Sequence, residues 1–282
     1  RMIGVVVDSN SQLPDSLAER YGIEVVPLTV TVDGVEYLEG VDLTHQAFYA
    51  AWDGGKAPTI TTSQPSPGQF VEAYERLIGR GCTEILSVHI TEAMSGTLNS
   101  ARLAAQMVDV PVRLVDSGTA SFGISCCAWA AAEAIADGAN VESAAVIAEE
   151  RAGALGTTFI VGVPHLIERS GRADRAGVVA ASNDGIPVLS MSGGDLAVLG
   201  TVKTVEAAVA AMAEYALCWT PSSPAGLRVA IGTSDITSAS VSAELTDALR
   251  GHPALAEALV QYAIGPSVGA HTGPGTSGLF VF

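Results

Sequence analysis

The segment Thr61-Thr62-Ser63-Gln64-Pro65-Ser66-Pro67-Gly68-Gln69-Phe70, with the run Glu84-Ile85-Leu86-Ser87-Val88-His89-Ile90 beyond it, decides how this chain is read. The first contains a strong helix start: Ser66 suits an N-cap, Pro67 the first helical position, and Gln69 completes a capping box. Phe70, Tyr74, Leu77 and Ile78 recur at helical spacing up to a stop near Gly79 and Gly81. Residues 84–90 then read as a strand, 95–108 as a helix and 112–115 as another strand. Helices inserted between β runs call for a largely parallel sheet with right-handed crossovers.

Upstream, residues 3–7 form a β-branched strand and 14–21 a helix closing on Gly22. A second strand over 24–30 turns at Asp33-Gly34 into 35–38 as a hairpin, and Thr44 can cap a short helix carrying Phe48 and Tyr49. Downstream come Ala-rich helices over 120–136 and 141–151, a strand over 157–161 and a short helix over 165–171. Residues 186–191 and 196–199 flank Ser192-Gly193-Gly194-Asp195 as a hairpin. A helix over 205–216, a strand over 227–231 and a helix over 238–250 follow. Strands over 259–264 and 279–282 end the chain, joined by a Gly-rich loop. The expected fold is α/β with two domains. Residues 1–160 form a Rossmann-like domain with a parallel sheet, and 161–282 an α/β domain with a mixed sheet.

Composition excludes several function classes. The chain has 282 residues and is 48% apolar with only 5% aromatics, which suits Val-rich strands covered by Ala-rich helices. A net charge of −16 with only 14 Lys and Arg opposes binding to nucleic acid or to an anionic membrane surface. Apolar tracts are too short or too broken by Gly and Pro to insert stably in a membrane. The chain opens on a strand rather than a leader, so a cytoplasmic location is expected. Cys82, Cys126, Cys127 and Cys218 contain no C-x-x-C pair and no His at ligand spacing, so they read as small core residues and no metal is expected.

Two hydroxyl positions suggest binding. Thr62 lies just upstream of the helix start at Ser66, and Ser95-Gly96-Thr97 repeats the arrangement at the next helix. A helix N-terminus offers free N–H groups and a positive dipole end to an anionic head group. A decorated turn at Thr62 and an N-cap without function at Ser95 are the alternatives. Val7-Asp8-Ser9 and Val115-Asp116-Ser117 end strands with Asp-Ser pairs and fall where a ligand crevice in an open α/β sheet opens. His89 reads as a hydrogen-bonded core residue. His271, in the Gly- and Pro-rich loop, can donate to a carboxylate. Gly265-Pro266-Ser267-Val268-Gly269 matches a nucleophile elbow, but no helix is expected after it. Gly273-Pro274-Gly275-Thr276-Ser277-Gly278 matches a dinucleotide fingerprint without a βαβ unit to hold it. No catalytic residue is expected from these patterns.

Taken in order, these segments resemble the DegV family of bacterial fatty-acid-binding proteins. The resemblance rests on Val6-Val7-Asp8-Ser9 with Leu13-Pro14, on Val26-Pro27-Leu28-Thr29-Val30, and on Thr61-Thr62-Ser63-Gln64-Pro65. It continues through Ser95-Gly96-Thr97, Val115-Asp116-Ser117, Ser170-Gly171-Arg172, and Gly265-Pro266 with Gly269-Ala270-His271-Thr272-Gly273-Pro274-Gly275. The resemblance implies a long-chain fatty acid such as palmitate or oleate bound between two domains. It implies Thr62 and Ser95 as carboxylate contacts and His271 as support. It also implies a partner, a fatty acid kinase that makes an acyl-phosphate on the presented lipid for phospholipid synthesis, with Arg172 and Lys203 engaging it.

The chain departs from the family pattern at Val202-Lys203-Thr204, where an Arg-Thr pair is usual. Lys brings a point charge in place of a bidentate fork. Burying a tail of about fourteen methylenes contributes on the order of 11 kcal/mol before ordering costs. Hydroxyls and a His can then hold the head group without trapping it. The expectation is a carrier with no reaction of its own. The alternatives are an enzyme on a small hydroxylated or acyl substrate and a ligand-sensing regulator.

Overall fold

Val6 and Val7 are fully buried in the strand Ile3–Asp8, the second of four parallel strands in the order Glu24–Val26, Ile3–Asp8, Glu84–His89, Val112–Asp116. A computed structural model describes residues 2–170, 176–221, 224, 226–257 and 259–282, and in it the chain forms two compact units. The first comprises Arg1–Asp42 and Thr61–Gly153; the second comprises Leu43–Ile60 and Ala154–Phe282. The division expected at residue 160 therefore differs from the observed one in two places. The strand Gly156–Ile160 pairs with Ser277–Val281 and belongs to the second unit, and so does the excursion Leu43–Ile60.

In the first unit the helix Pro67–Gly79 begins as its sequence dictates. Gln69 N donates to Ser66 Oγ at 3.3 Å, Ser66 N donates to Gln69 Oε1 at 2.9 Å, and Pro67 stands in the first turn. Its apolar face buries Phe70, Ala73, Tyr74 and Leu77 against Val6, Val26 and Ile85, with Ala101 and Ala104 from the helix Thr97–Ala105. Full burial of each large side chain stabilises the fold by about 1.5–3 kcal/mol. The helix Phe122–Ala136 is buried continuously from Phe122 to Ala132 and packs on the two central strands. Cys126 and Cys127 lie inside it as small core residues, and burial pushes the Cys127 thiol up to about 12. Cys218 departs from that reading, because it is exposed at the end of the helix Val205–Leu217.

The strand expected over 24–30 is two strands. Pro27 lacks an amide donor, so Glu24–Val26 ends in the parallel sheet. Thr29–Val32 starts afresh in a three-stranded sheet ordered Val35–Leu38, Thr29–Val32, Ile60–Ser63. The hairpin turn falls on Asp33 and Gly34, both at positive φ (49° and 85°), which this tight turn requires.

The second unit holds a mixed sheet ordered Asp195–Val202, Ile186–Ser192, Gly156–Ile160, Ser277–Val281, Val229–Thr233, Val260–Ala263. Only the last pair is parallel. Val205–Leu217 and Ala239–Leu249 cover it, burying Met212, Leu245 and Leu249 over Ile231 and Leu279. The helix Ala176–Asp184, which the sequence reading leaves out, packs against the outer hairpin.

The Gly-rich loop expected before the last strand is a helix, Pro266–Thr272, and it carries His271 in its last turn. Pro266 at its start and Gly273 after its end, at φ 77°, are the start and stop signals. Gly162 lies against the chain beyond that helix. A Cβ added at position 162 would come within 1.5 Å of the Pro274 carbonyl oxygen. Backbone against backbone leaves no flexible atom to yield, so Gly162→Ala is expected to destabilise the protein by about 1–3 kcal/mol or more. Thermal and urea unfolding of the variant beside the parent measures this directly.

Candidate functional site

Thr62 lies in the edge strand Ile60–Ser63, not in a turn as the sequence suggested. Strand alternation separates its residues into two faces: Ile60 and Thr62 are half-buried, whereas Thr61 and Ser63 are exposed. Thr62 is thus the sheltered hydroxyl of the pair and Ser63 the solvated one.

Ser95 precedes the helix Thr97–Ala105, whose N-cap is Gly96. Its Oγ accepts from Thr97 N at 3.3 Å and shares a hydrogen with Thr97 Oγ1 at 2.8 Å. The turn that carries it is fixed from the neighbouring strand. Asp116 Oδ2 accepts from Glu92 N at 3.3 Å and from Thr91 Oγ1 at 3.5 Å, and Ser95 N donates to Thr91 O at 3.2 Å.

The two hydroxyl segments meet within the first unit. A Cβ added at Gly96 would lie 2.8 Å from Gln64 Nε2, so the Gln64 amide rests against the glycine beside Ser95. Gln64 and Gly96 are 32 residues apart in sequence, and spacing alone gave no signal that they touch.

His271 is half-buried in the second unit, and the chain beyond its helix is tethered by Asp235. Asp235 Oδ1 accepts from Gly275 N at 2.8 Å, and Ser234 and Thr237 hydroxyls also donate to that carboxylate. Burial opposes ionisation of Asp235, but these donors outweigh it and hold its carboxyl below the ordinary 3.8. Lys203 is exposed, and its Nζ donates to Asp184 O at the end of the helix Ala176–Asp184. Arg172 lies outside the described residues.

The first Asp-Ser pair turns its carboxylate into the core rather than towards a crevice, whereas Asp116 of the second is exposed. Asp8 is fully buried, with Oδ2 accepting from Ile90 N at 3.0 Å and Oδ1 from Asn10 N at 3.0 Å. His89 Nδ1 lies 3.0 Å from Asp8 Oδ2, His89 Nε2 lies 2.6 Å from Ser87 Oγ, and Ser87 Oγ lies 2.9 Å from Tyr74 OH. One direction satisfies every donor: Tyr74 to Ser87, Ser87 to His89, His89 to Asp8. This Asp-His-Ser order resembles a hydrolytic triad, yet all three residues have zero exposure, so no substrate reaches them. Burial pushes the Tyr74 hydroxyl up to about 12, keeping it a donor despite the opposing bond to Ser87. His89 is therefore the core histidine that its strand position suggested.

The nucleophile-elbow match also needs revision. A helix does follow the strand Val260–Ala263, contrary to the expectation. Ser267 nevertheless lies inside that helix with 2% exposure, whereas an elbow serine projects from the turn. Among the described residues no group of three or more His, Cys, Asp or Glu could hold a metal ion, and no helix is long and apolar enough to cross a membrane.

A four-stranded parallel sheet in one unit and a six-stranded mixed sheet in the other define a two-unit α/β protein. The DegV family model, described as an uncharacterised protein family, matches residues 2–282, and the chain belongs to that family. A DegV domain-containing protein of Streptomyces coelicolor is 34% identical over 283 residues, covering 100% of this chain and 98% of the relative.

Solved structures agree. One described by the fatty acid binding of a DegV family protein from Thermus thermophilus has a TM-score of 0.89 at 28% identity, covering 100% of this chain and 99% of that one. A DegV lipid-binding protein of Thermotoga maritima gives 0.85 at 27%, covering 100% and 98%. DegV of Bacillus subtilis, a fatty-acid-binding protein, gives 0.82 at 25%, covering 99% and 98%.

The Asp235 tether has a pH signature. A carboxyl whose folded pKa is depressed stabilises the fold fully above its unfolded value of 3.8 and ceases to do so as pH falls through the lower folded value. Asp235→Asn should therefore lower the melting temperature at neutral pH, and the gap to the parent should close as the pH is taken from about 4 towards 2. Thermal unfolding across that range is the measurement.

Proposed function

We propose that this chain is a carrier that binds a long-chain fatty acid and presents its carboxylate to a separate fatty acid kinase, which forms the acyl-phosphate. The observation that carries this reading is the match over the whole chain to solved DegV proteins described as fatty-acid- or lipid-binding, at 25–28% identity. Thr62, Ser95 and His271 are the proposed carboxylate residues. Hydroxyls and an imidazole suit a cargo that must be handed on, because they hydrogen-bond a carboxylate without the strong pairing of an Arg fork. Exposed Lys203, together with Arg172, is the proposed contact for the kinase. The carrier performs no chemical step of its own in this reading.

Native mass spectrometry tests the cargo. Protein purified from a bacterial host, or incubated with palmitate or oleate, is expected to retain one long-chain fatty acid, and apo protein after both treatments would refute the reading. Added to a fatty acid kinase with ATP, the loaded protein should yield acyl-phosphate and the stripped protein none. Thr62→Ala and Ser95→Ala should each weaken palmitate binding about tenfold, the loss of one hydrogen bond to a charged group, with melting temperature little changed. Unaltered affinity in both variants would place the head group elsewhere.

A further inference from the structure

We propose that Gln64 is a further head-group residue, whose side-chain amide donates to the ligand carboxylate beside Ser95, and that position 96 is glycine to leave room for that amide. The inference rests on the fatty-acid reading above and deepens it.

Three observations carry it. The whole amide lies over Gly96: an added Cβ would meet Nε2 at 2.8 Å, Cδ at 3.1 Å and Oε1 at 3.3 Å. Gly96 has φ −76° and ψ 6°, a conformation open to any L-residue, so space and not backbone geometry is what a side chain there would violate. Gln64 is exposed and makes no hydrogen bond to any described residue, which leaves both amide hydrogens available.

The chemistry of the site needs such a donor. A carboxylate only accepts, with room for several hydrogen bonds. Ser95 Oγ already accepts from Thr97 N, and one hydrogen is shared between the Ser95 and Thr97 hydroxyls. The two hydroxyls together thus bring few free donors. The Gln64 amide, two residues beyond Thr62, adds two without adding charge. A glutamate of the same shape would present acceptors to an acceptor.

The test compares palmitate with hexadecanol, which has the same chain and a hydroxyl that can donate. Gln64→Glu, Gln64→Ala and Gly96→Ala are measured beside the parent for binding of each lipid at pH 8, with melting temperature as the control for folding. Gln64→Glu is expected to weaken palmitate at least tenfold and hexadecanol less than about threefold, a charge-specific loss that a merely structural role would not produce. Gly96→Ala should match Gln64→Ala on palmitate. Parent-like palmitate binding by Gln64→Glu, or an equal loss of both lipids, overturns the assignment while leaving the carrier reading intact. A parent protein that takes up neither lipid overturns the carrier reading and this inference with it.

Discussion

The first unit depends on one buried carboxylate. Asp8 ends the strand Ile3–Asp8 without solvent, and it accepts from Asn10 N and Ile90 N and pairs with His89. A carboxylate stripped of water is costly unless each oxygen is satisfied, and removing a partner leaves that cost exposed. The bonds therefore lock the ends of two neighbouring strands together. Asn10 passes the constraint on, since its Oδ1 accepts from Ser121 N at 2.9 Å ahead of the helix Phe122–Ala136. On the other side, Ile90 leads directly into the turn Thr91–Ser95. The hydroxyl proposed for the head group is thus set by a polar core that no ligand touches.

The second unit solves the same problem with glycine and hydroxyls. Where the chain returns after the helix Pro266–Thr272, Gly162 admits the Pro274 carbonyl and Gly162 N donates to Thr276 Oγ1 at 3.1 Å. Asp235 takes Gly275 N, and Thr276 Oγ1 donates to Gly273 O at 2.8 Å. A segment rich in Gly and Pro is thereby held without bulky side chains. Tyr49 OH, donating to Ile264 O at 2.9 Å, fixes the excursion Leu43–Ile60 to the same unit, and Gly269 lets Phe48 and Tyr49 approach the helix.

Local signals in the sequence were legible where one turn of chain decides the outcome. Ser66, Pro67 and Gln69 produce the helix start they specify, and Asp33-Gly34 and Gly193-Gly194 produce their hairpins. Signals failed where a partner distant in sequence decides. Glu24 through Val30 read as one strand because Val25, Val26, Thr29 and Val30 favour β, yet Pro27 and two different sheets divide it. Residues 266–272 read as loop because glycine propensity is poor, yet packing of Gly269 against Phe48 and Tyr49 rewards a helix there. The contact of Gln64 with Gly96 had no local signature at all.

The candidate head-group residues Thr62, Ser95, His271 and Gln64 share one property that separates this chemistry from tight anion binding: none carries a permanent positive charge. A buried Arg-carboxylate pair would add a bidentate lock, and releasing the cargo would then require breaking two charge-assisted bonds in a dry site. With neutral donors the apolar tail supplies most of the binding free energy, roughly 0.8 kcal/mol for each buried methylene. In the carrier reading, chain length would then set affinity and the head group orientation. Weak polar anchoring in that reading would leave the carboxylate oxygens only partly engaged, so that a second protein could compete for them without first extracting the tail. The net charge of −16 adds a long-range bias towards partners that carry basic groups of their own.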